Sequence, residues 1–191
     1  MLFSRKKNSL TIDEMIEIEN WLKSNCFSYF GEVVDEAALS SELKLKVEKV
    51  VPSQMNKHVE AELRPVDDEK YNGLIRVNSS CVKTNFAYLH EIMHYIYDVG
   101  IGNKVNEVFT RKSRGHTEGA HEQKINYMTA AFIMRYDKIE PRIREYDESK
   151  PKMDELKFIN DLSQEFNQPS TVVIRRIQEI RRIRRRKLNK V

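Results

Sequence analysis

Apolar residues at Ile12, Met15, Ile16, Ile18 and Leu22 form a mainly one-sided helical stripe. The stripe begins within Thr11-Ile-Asp-Glu14, the pattern in which a threonine and a glutamate cap each other's backbone at a helix start. A first helix is predicted to about Ser24. Helix-compatible patterning continues around 32–39 and 43–51, and Pro52 stops it. The period then changes: 58–64 (HVEAELR) alternates, Asp67-Asp68-Glu69 is a turn, and 73–78 (GLIRVN) reads as a second strand. Together they predict a small antiparallel sheet. Residues 82–99 form a long apolar-rich helical stretch ended by Gly100 and Gly102, and a polar loop is expected over 103–119. The next helix, 120–136, has Ile125, Met128, Phe132 and Ile133 on one side. A charged linker over 138–151 leads to two short helices, 152–166 and 170–187, joined by Asn167-Gln168-Pro169 in a helix-turn-helix-like unit. No internal repeat interrupts this order.

Composition narrows the class. The 191 residues are 40% hydrophobic and 32% charged, with 6 glycines and 5 prolines, which excludes collagen-like and wholly disordered chains. No apolar run reaches the roughly 18 residues a membrane helix needs, and the start MLFSRKKNSL has no apolar core behind its basic residues. Two cysteines, Cys26 and Cys81, lie far apart outside any CxxC spacing, so a cysteine framework is excluded and a reducing cytoplasm is the expected location, with no membrane partner. The net charge of +4 is unevenly spread: residues 169–191 carry nine basic side chains against Glu179, or +8, leaving −4 elsewhere. Such a tail can follow a phosphate backbone or an acidic partner, or it can be a solvated helix end whose cations suit the C-terminal dipole.

The chemistry lies in His90-Glu91-Ile92-Met93-His94, an HExxH motif. Residues i and i+4 stand one above the other on a helix, so both imidazoles can bind one zinc ion while Glu91, about 100° round, addresses the metal's water. A catalytic zinc takes three protein ligands. Downstream candidates are Asp98, His116, Glu118, His121 and Glu122. Asp98 is a further turn along the same helix, moving away from a metal between the histidines. Glu122 opens the next long helix and is preferred, with His121 as its competitor. Asn126, one turn after Glu122, suits the job of holding a ligand imidazole by its other N–H.

These residues resemble the ImmA/IrrE family of zinc metallopeptidases. Phe86-Ala-Tyr-Leu-His90-Glu91-Ile-Met-His94 matches the family's first ligand helix, and Glu122-Gln-Lys-Ile-Asn126 with Phe132 and Met134 matches its second. The stretch from Leu162 through Phe166, Ser170 and Val173 to Arg176 is similar to the family's later helix-turn-helix segment. The resemblance runs over about 73–183. Met93, Ile125 and Arg135 depart from the family pattern, at packing positions that bear on the cleft rather than on the ligands. The resemblance implies an α+β fold, mostly helical and zincin-like, with a metallopeptidase domain over 1–150 and a helix-turn-helix-like extension with a basic tail over 151–191. It implies His90, His94 and Glu122 as metal ligands and Glu91 as catalytic acid/base. Zinc is the expected ion; Mn²⁺ or Fe²⁺ also suit such donors.

The family further implies an intracellular, site-specific endopeptidase that cuts a helix-turn-helix transcriptional repressor of a mobile element, prophage or stress regulon. An extended substrate is expected to add to the sheet edge formed by 73–78, and Tyr97, Tyr127 and His116 are the candidate oxyanion donors. The competing expectation is a non-catalytic module, in which the metal site is structural or vestigial and the basic C-terminal helix contacts DNA or the repressor.

Overall fold

The computed structural model describes residues 10–27, 36–56, 58–80, 84–112, 119–149 and 154–189. In chain order these form α1 (Ile12–Leu22), α2 (Glu36–Glu42), β1 (Leu45–Val50), β2 (Val59–Arg64), β3 (Gly73–Asn78), α3 (Thr84–His94), β4 (Phe109–Lys112), α4 (Ala120–Ile133), α5 (Tyr136–Ser149), α6 (Glu155–Glu165) and α7 (Ser170–Leu188). The result is an α+β, zincin-like fold, mostly helical with a small sheet. Its contacts group the chain into two units, residues 30–118 and residues 1–29 with 119–191. The expected boundary at residue 150 falls between α5 and α6, both in the second of these. Cys81, His116 and Glu118 lie outside the described residues.

The first unit holds the sheet. Lys44 adopts a left-handed backbone with φ 53°, which ends α2 and turns the chain into β1. The helical expectation for 43–51 is therefore wrong beyond Leu43. Leu43, Leu45 and Val47 alternate with Lys44, Lys46 and Glu48 at the strand's period of two. The strand order is β1-β3-β2-β4, with β1 parallel to β3 and β2 antiparallel to both β3 and β4. The sheet is mixed rather than antiparallel. Residues 73–78, expected to offer an edge, lie between β1 and β2, and the edges are β1 and β4. The edge strand β4 sits inside the expected polar loop, and its four residues are too few to show an alternation.

Alternate residues of the inner strands, Val59, Ala61 and Leu63 on β2 and Ile75 and Val77 on β3, are buried. Gly73 opens β3 because a Cβ there would lie 2.5 Å from Val105 Cγ2. Helix α3 packs on β2, β3 and β4. Every residue from Phe86 to Ile96 is buried, so no solvent face remains along it. The helix then widens into a π-turn, Tyr95–Val99, closed by Gly100 N–H donating to the Tyr95 carbonyl at 2.8 Å. Asn72 Nδ2 donates to the Tyr95 hydroxyl at 3.0 Å, that hydroxyl donates to the Asn103 carbonyl at 3.1 Å, and Gly102 N–H donates to it at 3.1 Å. Burial pushes the Tyr95 phenol above its ordinary range. These bonds pin the end of the helix that carries His90 and His94.

The second unit is helical. The Thr11 capping box forms as expected, with Thr11 N–H donating to Glu14 at 2.7 Å and Glu14 N–H to Thr11 Oγ1 at 3.2 Å. The charged linker expected over 138–151 is instead helix α5. Its charge density hides a seam of Ile139, Ile143 and Tyr146, all buried at helical spacing. Helices α6 and α7 are joined through Asn167, left-handed at φ 48°. Val173, Ile177, Ile180 and Ile183 bury one face of α7. Several of its cations are engaged inside the unit: Arg181 and Arg184 both donate to Asp147, and Arg186 donates to Asp13. Arg176 is fully buried, donating to the Met134 carbonyl and pairing with Glu19 at 2.7 Å, while the Tyr127 hydroxyl donates to Glu19 at 2.8 Å. Burial pushes the Glu179 carboxyl up, against the pull of Arg176 and Arg175. Among the described residues, no helix is long and apolar enough to cross a membrane.

Removing the buried cation leaves Glu19 as an uncompensated charge. Arg176→Ala is expected to cost about 3–5 kcal/mol in urea unfolding. Arg186→Ala, at an exposed pair with Asp13, is expected to cost about 0.5 kcal/mol. Equal losses would contradict a buried keystone at Arg176.

Candidate metal centre

Helical spacing puts His90 and His94 on one face of α3, and their Nε2 atoms lie 3.1 Å apart. Two nitrogens at about 2.1 Å from a tetrahedral ion would be roughly 3.4 Å apart, so the pair is close to the spacing a shared metal requires. Both rings are buried, 0% and 1% exposed, with centroids 4.8 Å apart in an edge-on arrangement. Glu91, next to His90, is also buried.

Strand β4 braces both rings. Phe109 stacks on His94 at 5.0 Å, and Arg111 Nη1 lies 2.9 Å from His90 Nδ1. The match is one of pitch. Two residues of a strand advance about 6.8 Å and four residues of a helix about 6.0 Å, so side chains two apart on β4 meet side chains four apart on α3. Arg111 is itself held: its Nε donates to Glu60 at 3.0 Å and its guanidinium lies 4.9 Å from the centre of the Phe86 ring. The register of β2 against β4 jumps from Val59↔Lys112 to Ala61↔Arg111, which makes Glu60 the extra residue of a bulge. That bulge places its carboxylate beside Arg111.

On the other side, Asp98 Oδ2 lies 2.7 Å from His94 Nδ1. Asp98, one of the candidate ligands, lies behind His94 at the π-turn. Donor roles follow from chemistry, because a guanidinium only donates and a carboxylate only accepts. Arg111 thus stands behind His90 and Asp98 behind His94, each at Nδ1, and the two Nε2 atoms face each other. His94 is thus oriented as metal-ligating histidines usually are, its Nδ1–H on a carboxylate and its Nε2 turned inward. The donor set fits a divalent metal.

Of the remaining expected residues, Glu122 sits in the first turn of α4, where a carboxylate suits the helix dipole, and buried Asn126 is one turn on. Both belong to the helical unit. His121 is exposed, and Tyr97 is half-buried. Tyr127 is taken out of the oxyanion candidates by its place in the Glu19–Arg176 core. Arg111 and Glu60 escaped the sequence reading, since a bulge leaves no pattern in a six-residue strand. The spacing of Asp98, four residues after His94, was the available signal for its orienting role.

Two histidines one helical turn apart, with a glutamate beside them and a carboxylate behind the second, form a group that can hold a divalent metal. Residues 48–178, more than half of the chain, match the model of Peptidase_M78, the IrrE N-terminal-like domain. The chain therefore belongs to the ImmA/IrrE family, and a metallopeptidase is the activity that membership supports. No curated protein matches it.

Without its carboxylate, the His94 ring loses its orientation. Asp98→Ala is expected to weaken zinc binding about 10- to 100-fold in competition with a chromophoric chelator. Unchanged affinity would show that Asp98 has no orienting role.

Proposed function

We propose that this protein is a zinc-dependent, site-specific endopeptidase acting inside the cell on a helix-turn-helix transcriptional repressor, such as one of a mobile element, prophage or stress regulon. The observation that carries the catalytic part is the His90–His94 pair with Asp98 holding His94. His90 and His94 are assigned as ligands together with Glu122. Support for Glu122 comes from its fit to the family's second ligand helix, with Asn126 four residues on as the side chain that steadies a ligand ring. Held by these residues, zinc would supply Lewis acidity toward a water and the scissile carbonyl. Glu91 is assigned the proton work: its carboxylate would take a proton from the attacking water and return it to the departing amine as the C–N bond breaks.

Substrate recognition is assigned to β4, the edge strand whose side chains already brace both rings, since an unpaired edge can add an extended peptide as a further strand. The repressor as partner rests on the family relationship. The alternative, a binding module that reads DNA through α7, has less support. Arg181, Arg184 and Arg186 are engaged with acids of the same unit, and the apolar face of α7 is buried.

The test compares host cells producing wild type or Glu91→Gln at equal abundance, with new protein N-termini mapped by mass spectrometry. Wild type is expected to create a small set of termini, including one inside a repressor, that the variant lacks. The same termini in both would contradict the assignment of Glu91 and of the peptidase.

A further inference from the structure

The helical unit holds a cavity that the metal centre does not use. It measures about 180 Å³ and lies among α1, the junction of α4 with α5, and α7. A cavity of about 150 Å³ admits a molecule the size of benzene, so there is room for a small organic ligand. Ile16 and Ile183 supply an apolar wall, and Asn20 a side-chain amide. The charges around it are unequally satisfied. Of its two acids, Glu19 is held by fully buried Arg176 at 2.7 Å and accepts from the Tyr127 hydroxyl at 2.8 Å. Asp137 receives Nε and Nη2 of Arg135, at 3.1 and 2.8 Å. Both acids are therefore neutralised. Lys23, just after α1, and Lys187, near the end of α7, also line the cavity, and neither forms an ion pair among the described residues. The contrast within α7 is sharp: Arg181, Arg184 and Arg186 each reach an acid, whereas the Lys187 ammonium lies 4.2 Å from the centre of the Tyr136 ring.

We propose that this cavity is a binding site for a small phosphate monoester, with the phosphoryl group held by Lys23 and Lys187 and the organic part against Ile16 and Ile183. The match is one of charge and donors. A phosphate monoester carries roughly two negative charges at neutral pH and three strong acceptor oxygens. Each lysine brings one positive charge and three donors with no acceptor, so a single phosphoryl group satisfies both ammoniums. A monocarboxylate would leave one of them unpaired. The Arg135–Asp137 and Arg176–Glu19 pairs stay as they are, and the ligand meets neither an unpaired acid nor a cation already spent. Its walls come from the two ends of the chain, so an occupant ties α1 to α7, as the Arg186–Asp13 pair already does. Binding to the folded form alone stabilises it by mass action, so occupancy steadies the helical unit. The site uses none of the metal-binding residues of α3, and it stands independently of the peptidase reading.

Glycerol 3-phosphate is the probe, titrated into the whole protein at low ionic strength and followed by calorimetry and by thermal unfolding. Wild type is expected to bind one equivalent saturably, with a melting temperature that rises with probe concentration, and to ignore glycerol, which has the carbon chain without the charge. Lys23→Met and Lys187→Met are each expected to weaken binding about tenfold, the size of one charge-assisted hydrogen bond. Arg185→Met removes the same charge from an exposed position on α7 outside the cavity, and is expected to leave binding unchanged. Absence of saturable binding by wild type at millimolar probe would overturn the site. So would an equal loss in Arg185→Met and Lys187→Met, which would show only a general attraction of anions to a basic helix. Both lysines are exposed, so their replacement leaves the core untouched, and the wild-type titration needs no variant at all.

Discussion

Two imidazole nitrogens 3.1 Å apart inside a helix buried on all sides cannot both present lone pairs to each other. A proton or a metal has to lie between them, and much of the surrounding architecture orients the two rings. Asp98 fixes His94, Arg111 fixes His90, and each of these is fixed in turn, by the π-turn after His94 and by the β2 bulge at Glu60. The centre is therefore organised from outside inward. Its inward face is imidazole, and charged groups stand behind the two rings.

The fold serves that arrangement by matching two periods. A helix repeats its face every four residues and a strand every two, over nearly the same distance, so β4 can touch both rings with Phe109 and Arg111. Gly73 and the Asn72–Tyr95–Asn103 bonds hold the strand before α3 and the end of α3 together, so the helix cannot slide against the sheet. The helical unit is stabilised differently, by apolar seams on α5 and α7 around one buried arginine. A tail that looks like a nucleic-acid binder by charge alone spends much of that charge on Asp147, Asp13 and Glu19.

Much of this was legible along the chain. The capping box at Thr11, the β2 and β3 alternation and the HExxH helix all follow from local periodicity, which local structure obeys. Three features were not. The strand at 45–50 was hidden because lysines alternate with short aliphatics in a way that also suits a helix face, and only the left-handed Lys44 decides between them. The helix at 136–149 was hidden by charge, its seam of Ile139, Ile143 and Tyr146 diluted among charged neighbours. Sheet order was hidden because it is a non-local property: nothing within GLIRVN says that β1 and β2 flank it. The same non-locality concealed Arg111, whose role depends on a bulge in a different strand.

The central claim is that His90 and His94 hold one metal ion. Elemental analysis of wild type, His90→Ala and His94→Ala after identical purification tests it most directly. The account predicts about one equivalent of zinc or a similar divalent metal in wild type and strong depletion in both variants. A folded wild type that remains metal-free when zinc is supplied, or variants that retain the full equivalent, would contradict it.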